Sequence, residues 1–397
     1  MLMAHRIALD PNNHQATYFA KAAGTARFAY NWALAEWSRQ DAAHREDPSL
    51  PAPSEIALRR RLNAIKRTEF PWMLEVTKNA PQMAIMQLGQ AFRNFFAGHA
   101  KYPTFRRKGV DDRFTLTNDQ FRLQGRRIRI PHLGWVRMRE ELRFSGKIVS
   151  ATVSRAADRW VVAITVDTRD QPRRPSEHQG TVGVDLGVLA LVTLSTGERI
   201  PGPKALRRRL GQLRRLSRSR KQKGSKNRVK AKTKLARLHA RIANIRQDAL
   251  HQLTSNLTRR FDTIGIEDLN VRGMVRNRRL ARCIADMGFG EFRRQLRYKA
   301  ERQGAVVVVA GRFFPSSKLC SVCGAVQEDM PLAVRLWTCP ACHTTHDRDL
   351  NAATNLTTYA VSSTVSACGG EGAGSSHPAV VKPAPMKQEV SVKATFG

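Results

Sequence analysis

Four cysteines restrict this chain more than any other feature. CSVCG at 320–324 and CPAC at 339–342 give Cys320-x2-Cys323, fifteen intervening residues, then Cys339-x2-Cys342. Two close pairs at that separation let backbone turns present four thiolates to one tetrahedral Zn2+. His343 and His346 could substitute as ligands, but four thiolates already close a site and leave no open position for catalysis. One structural Zn2+ is therefore expected, and any chemistry has to lie elsewhere. Cys283 and Cys368 fall outside the pattern and are expected to be free thiols. Six cysteines in a chain of 397 residues do not make a disulfide framework.

The charge balance says what the surface must meet. Lys and Arg total 68 against 32 Asp and Glu, a net charge of +36. Self-repulsion of that size calls for a polyanion, and nucleic acid bound through its phosphates is the natural one. An anionic membrane would require an amphipathic helix or a lipid anchor, and neither stands out. No run approaches the roughly 20 apolar residues of a membrane span, and MLMAHRIALD lacks the apolar centre of a signal peptide. A cytoplasmic protein is expected, nucleoid-associated when bound to DNA, with no oligomer implied. The densest positive stretch, 204–234, reads KALRRRLGQLRRLSRSRKQKGSKNRVKAKTK and contains no acid. Without i+4 carboxylates its repulsion is uncompensated, which favours polyanion contact over a solvated face. Arg207, Arg208, Arg214, Arg215, Lys221 and Lys226 are its candidate nucleic-acid contacts.

Periodicity predicts a multidomain α+β chain. MAHRIALDP reads as a strand ending in a turn at Pro11-Asn12-Asn13. Apolar residues then recur near 3.6 spacing from His14 to Gln40, and IALRRRLNAIKR and PQMAIMQLGQAFRNFFAGH supply two more helices. After KYPTFRRKG, the runs DRFTLTN, RRIRIPHLGWVRMR and GKIVSATVSRAADRWVVAITVD alternate as in a small antiparallel sheet or barrel. The linker TRDQPRRPSEHQG puts a boundary near Gln179. Beyond it, TVGVDLG, LALVTLS and ERIPG predict a three-stranded meander, and the basic stretch continues into one long helix. The strands FDTIGIEDL and AVVVVAGRFF flank the helix GEFRRQLRYKAERQG, completing an α/β unit. Residues 361–397, rich in Gly, Ser, Ala and Pro, are expected to be disordered.

Against this background the placement of the few acids is informative. Asp185 interrupts an apolar strand, where an uncompensated carboxylate costs several kcal/mol. Alternation alone would make Gly183, Asp185 and Gly187 the wet face of a hairpin. But Glu267 and Asp268 end a second strand, and Asp347 and Asp349 come after the cysteines in HDRDLNAATNL. Strand C-terminal ends gather at one edge of an open α/β sheet, and carboxylates brought together there would repel one another. Two Mg2+ or Mn2+ ions remove that repulsion and can clamp a phosphodiester for in-line hydrolysis. Asp185 is thus expected to be a metal ligand. Of the last two acids, Asp347 is placed to cap the next helix, whose small alanines would let it pack beneath the edge carrying Asp185 and Glu267.

VDLGVLALVTLSTGE, IGIEDLNVRGM, FFPSSKLCSVCG and CPACHTTHDRDLNAATNL resemble the split RuvC motifs and zinc ribbon of the TnpB family, RNA-guided nucleases of insertion sequences related to type V CRISPR effectors. FAKAAGTARFAYNWAL and KYPTFRRKG resemble the family too, so the likeness covers nearly all of 1–360. It implies an RNase H-like (RuvC) α/β domain at 179–317 and 345–360, interrupted by a zinc ribbon at 318–344. It also implies a β-barrel wedge domain at 1–13 and 112–178 with a helical recognition domain inserted at 14–111. The implied partners are a noncoding guide RNA from the transposon right end and double-stranded target DNA beside a short target-adjacent motif. The implied catalytic acids are Asp185, Glu267 and Asp349, working with Mg2+, and Lys78 and Gln82 in KNAPQ are candidates for reading the motif. A strand-joining transposase, a nuclease-dead RNA-guided repressor and a basic zinc-ribbon binding protein are the competing readings. Retention of all three acids favours the enzyme over the repressor, and the last reading leaves the acids unexplained.

Overall fold

The computed structural model describes residues 1–168, 179–219, 225–331 and 333–367. Most of the linker expected before Gln179 therefore lies outside the described residues, as do Lys221 and Cys368. The chain opens on strand β1 (Leu2–Ala8), then forms helix α1 (Asn13–Glu46). A capping box starts this helix: the Asn12 side chain accepts the Gln15 N–H at 2.8 Å, and the Gln15 side chain accepts the Asn12 N–H at 3.1 Å. The buried face of α1 carries Ala22, Ala26, Ala29 and Ala33, small enough for close approach by α3 (Asn79–Phe96). Trp37 stacks on Phe92 across that contact at 4.0 Å. Helix α2 (Glu55–Ile65) joins them through Leu58 and Leu62.

These helices pack on two antiparallel sheets. One has the order β1-β7-β6-β2, from β2 (Arg113–Thr117), β6 (Lys147–Ala156) and β7 (Arg159–Asp167). The other is a meander of β3 (Arg122–Gln124), β4 (Arg127–Ile130) and β5 (Gly134–Arg137). Phe19 meets Trp160 at 5.3 Å and Phe114 at 6.0 Å, so helices and sheets share one core. Pairing of β1 with β7 brings residues 2–8 against 161–167.

A second core lies in a mixed five-stranded sheet of order β10-β9-β8-β11-β12. It comprises β8 (Thr181–Asp185), β9 (Val192–Leu194), β10 (Arg199–Ile200), β11 (Thr263–Glu267) and β12 (Val306–Ala310). The expected meander forms β8 to β10, and β8, β11 and β12 run parallel. The basic stretch does not run into a single long helix. It folds as α4 (Ala205–Arg218) packed against α5 (Lys226–Arg260) through Leu213, Leu235, Leu238 and Ile242. Ser225 ends the break, its hydroxyl accepting the Arg228 N–H at 3.1 Å. Buried Asp286 serves the start of α4 from a distance, accepting the N–H groups of Leu206 and Arg207 at 2.9 and 3.0 Å. Asp286 belongs to α7 (Ala281–Met287), which lies between the single turn α6 (Val271–Met274) and α8 (Phe289–Gln303).

The remaining elements are a hairpin, β13 (Leu336–Thr338) with β14 (Thr345–Asp347), and the helix α9 (Arg348–Ala367). The hairpin ends at Asp347, and α9 is helical through 361–367, a stretch whose composition points to a disordered tail. The rest of that tail, 368–397, lies outside the described residues. Packing of α9 on the sheet explains two glycines. Gly183 and Gly265 face each other in the β8–β11 register, and a Cβ would lie 1.8 Å from the Ala353 carbonyl oxygen and 2.4 Å from that of Leu356. The face that alternation alone would make wet is thus covered by α9. Gly265→Val should destabilise the fold by about 3 kcal/mol, the upper end of overpacking, whereas Gly290→Ala, with open space at its Cβ, should be near neutral. Denaturant unfolding of the two variants checks the contrast.

Candidate metal centres

Asp185 ends β8 and Glu267 ends β11, and the register that pairs Val184 with Ile266 sets these acids side by side at the C-terminal edge. Asp349 lies in the first turn of α9, whose seat in the Gly183–Gly265 trough carries it to the same edge. Burial, then Glu267, then Asp349 push the Asp185 carboxyl well above the usual carboxylate range. Burial also raises Glu267, opposed by a short hydrogen bond from the buried Ser316 hydroxyl and by the charge of Arg348. The neighbouring acids have other duties. Asp268 is pinned by Arg293 and by Arg312 at 2.8 Å, and these bonds lower its pKa. Asp347 accepts the Leu350 N–H at 3.0 Å and caps α9, as the sequence predicts, while pairing with Arg199 at 2.6 Å.

Sequence reasoning missed the groups that hold this edge together. Arg335, just before β13, donates to Asp349 at 3.2 Å and also faces Asp185, as does Arg348. Asn351 and Asn355, both buried, donate to the Leu319 carbonyl at 2.7 and 2.6 Å, and Asn351 accepts the Ser321 N–H at 3.0 Å. They staple the segment entering the cysteine module to α9. Two asparagines four residues apart in NAATN lie on one helix face, and that spacing was the available signal.

The donor set fits a hard divalent cation. It offers carboxylate oxygens, partly buried, with one proton affinity raised by the other two charges. Arg335 and Arg348 compensate the charge of Asp185 only in part. The three acids are neighbours without closing into a tight cage. Among the described residues, the single group of ligand atoms within 4.8 Å of one another is Cys320, Cys323, Cys339 and Cys342.

That thiolate cluster fits zinc. Cys320 and Cys342 sulfurs lie 3.6 Å apart, as do those of Cys323 and Cys339. A tetrahedron with Zn–S of about 2.3 Å has edges of about 3.8 Å, whereas a disulfide would need about 2.05 Å. The two knuckles repeat one backbone design. Gly324 N–H bonds back to the Cys320 carbonyl and His343 N–H to the Cys339 carbonyl, each at 2.9 Å, and both residues have positive φ, 77° and 56°. His343 therefore shapes a turn. His346 packs at a tilt against Trp337 and places Nε2 3.0 Å from the Cys320 sulfur, where it can donate to a thiolate.

The basic candidates are exposed. The side chains of Arg207, Arg208, Arg214 and Arg215 on α4 and of Lys226 at the start of α5 form no ion pair among the described residues. Lys78 and Gln82, both exposed, lie one turn apart at the start of α3, flanking the buried Asn79, Ala80 and Pro81. A further basic face escaped the sequence reading. In the β3–β4–β5 meander, Arg122 is opposite Arg129 and Arg127 opposite Arg137, with Trp135 facing Arg129. Like charges directly opposite on a sheet are destabilising, so this exposed face suits a phosphate backbone. The alternation of RIRI was its signal.

Residues 162–278 match the OrfB_IS605 family model, described as "Probable transposase", and 289–356 match "Cas12f1-like, TNB domain". A "Putative RNA-guided DNA endonuclease" of Streptomyces pristinaespiralis is 39% identical, covering 92% of this chain and 90% of its own. The chain belongs to the TnpB family. A second relative of this TnpB chain, "Putative RNA-guided DNA endonuclease InsQ" of Escherichia coli K12, is 33% identical over 93% of it and 94% of the relative. The fold matches a chain of the Cas12f1-sgRNA-target DNA complex with TM-score 0.53 and 14% identity, over 87% of this chain and 83% of that one. A model described as "Helix-turn-helix domain" matches residues 1–46, where this TnpB chain has one strand and one unbroken helix. No helix among the described residues is long and apolar enough to cross a membrane.

Proposed function

We propose that this chain is an RNA-guided DNA endonuclease of a transposon, with its nuclease centre at Asp185, Glu267 and Asp349. The observation that carries this reading is the convergence of three acids from β8, β11 and α9 on one sheet edge. We read the five-stranded sheet as the RNase H-like RuvC domain, the cysteine hairpin as its inserted zinc ribbon, and the N-terminal sheets and helices as wedge and recognition modules. Mg2+ or Mn2+ bound by the three acids would activate the attacking water and stabilise the leaving oxygen of the phosphodiester. The chain's own part is to hold that edge in register. Ser316 fixes the Glu267 carboxylate, Arg335 holds Asp349, and Asp268 is kept away by its two arginines. Lys78 and Gln82 remain our candidates for reading the target-adjacent motif in the DNA duplex.

The guide RNA is assigned to the basic surfaces. Replacing Arg207, Arg208, Arg214 and Arg215 by Glu should weaken RNA binding and flatten its salt dependence. Each lost phosphate contact lowers the log–log slope by about 0.7 for single-stranded and about 0.9 for duplex segments. An unchanged slope would make α4 a merely solvated face. Sequencing the RNA that copurifies with the protein tests the reading as a whole. A discrete species with a variable 3′ segment supports it, and heterogeneous cellular RNA contradicts it.

A further inference from the structure

Phe313 is 93% exposed, the most exposed large apolar side chain among the described residues. A phenyl ring in water needs a reason, and here the backbone beneath it is pinned at several points. Arg312 pairs with Asp268 at 2.8 Å, and Phe314 packs on Tyr359 at 4.9 Å between centroids. The Phe314 N–H closes a turn onto the Gly311 carbonyl at 2.9 Å, and Ser316 is hydrogen-bonded to Glu267. The ring therefore projects from a fixed turn. Three residues span at most about 11 Å, so Phe313 sits within reach of the carboxylate edge. Arg312 beside it shares Asp268 with Arg293, and Arg294, Arg297 and Tyr298 line a groove along α8 with Glu301, so guanidinium groups outnumber carboxylates on that flank.

An aromatic ring presented to solvent beside several guanidinium groups and the edge carrying Asp185, Glu267 and Asp349 has one natural occupant. We infer that Phe313 is a stacking platform for an unpaired base of the DNA strand entering the Asp185–Glu267–Asp349 site. Bases inside a duplex are stacked on their neighbours, so only a single-stranded stretch can offer one. Stacking is tolerant of base identity, which suits a nuclease whose sequence choice comes from a guide. The ring sets where the backbone lies, and the acids act on the phosphate so positioned. This inference rests on the proposed nuclease function.

Two measurements test it. First, Phe313→Ala, Phe313→Leu and Phe313→Trp are compared with wild type as guide-loaded complexes under single-turnover conditions. Each is run on target DNA carrying one abasic position at successive sites along the cut strand. We expect Phe313→Ala and Phe313→Leu to cut on the order of tenfold more slowly, the weight of one stacked base, with guide RNA affinity unchanged and Phe313→Trp restoring the rate. At one position the abasic penalty of wild type should vanish in Phe313→Ala, as a coupled pair requires. Wild-type rates for Phe313→Leu, loss of RNA affinity instead, or no coupled position would overturn the inference. Second, Phe313→p-benzoylphenylalanine in an Asp185→Ala chain is photo-crosslinked with a short single-stranded DNA oligonucleotide present, which needs no cleavage. Crosslinks to the oligonucleotide support stacking, and crosslinks confined to RNA or protein contradict it. A wild-type complex that never cuts DNA would instead refute the nuclease reading.

Discussion

Asp349→Ala is expected to lose DNA cleavage by roughly a thousandfold while keeping its fold and its RNA. A metal-ligating carboxylate supplies several kcal/mol of transition-state stabilisation, and each ~1.36 kcal/mol is a factor of ten. Asp185→Asn and Glu267→Gln should be equally inactive. Asp347→Ala, two residues away, should keep most of its cleavage and lose about 1 kcal/mol of stability, the usual cost of an N-cap. Its pair with half-exposed Arg199 adds little to that. Asp185 carries a second, opposite expectation. Its folded pKa lies above the unfolded value, so its contribution is fully favourable below the unfolded pKa and is lost as pH rises through the raised folded one. Above the unfolded pKa the metal-free chain thus bears a cost at this carboxyl, and Asp185→Asn should raise its melting temperature. Side-by-side cleavage and melting curves check all of this. A dead, normally folded Asp347→Ala beside an active Asp349→Ala would reverse the assignment.

Removing zinc should have the largest effect on structure. Purified protein is expected to hold one Zn2+ per chain, bound with an apparent free energy of about 10–16 kcal/mol as in other structural thiolate sites. Cys320→Ser or Cys339→Ser, or a strong chelator, should melt the β13–β14 hairpin. That loss extends inward, because the hairpin is tied to the carboxylate edge through Arg335, Asn351 and Asn355. Cleavage should fall with it, although the four cysteines form a cluster apart from the three acids. The N-terminal core forms a separate cluster and should melt as before. Metal analysis with limited proteolysis reads both effects. Full zinc occupancy in a chain lacking all four cysteines would refute the site.

How much of this could be read from the sequence depended on how local each signal was. The cysteine spacing and the acid interrupting VGVDLG are visible within a few residues, and the Asp347 cap needs only the helix it begins. The trough that seats α9 was invisible, because Gly183 and Gly265 become neighbours only through the parallel register of distant strands. Arg335 and Ser316 were missed for the same reason, since each reaches its acid through tertiary packing. The basic stretch reads as continuous helix because arginine and lysine favour helix on both sides of a short break. Ser225, the N-cap of α5, was the overlooked start. On the β3–β4–β5 meander, the opposed arginines required strand pairing to be known before their conflict showed.

The most direct test of the central claim is to exchange the guide. The protein is produced with its RNA carrying a new 3′ guide segment and incubated with Mg2+ and plasmids bearing either the old or the new target beside the same flanking motif. Double-strand cleavage is expected to move to the new target and to disappear in the Asp185→Ala chain. Cleavage that ignores the guide, or persists without Asp185, would contradict RNA-guided cutting at this carboxylate edge.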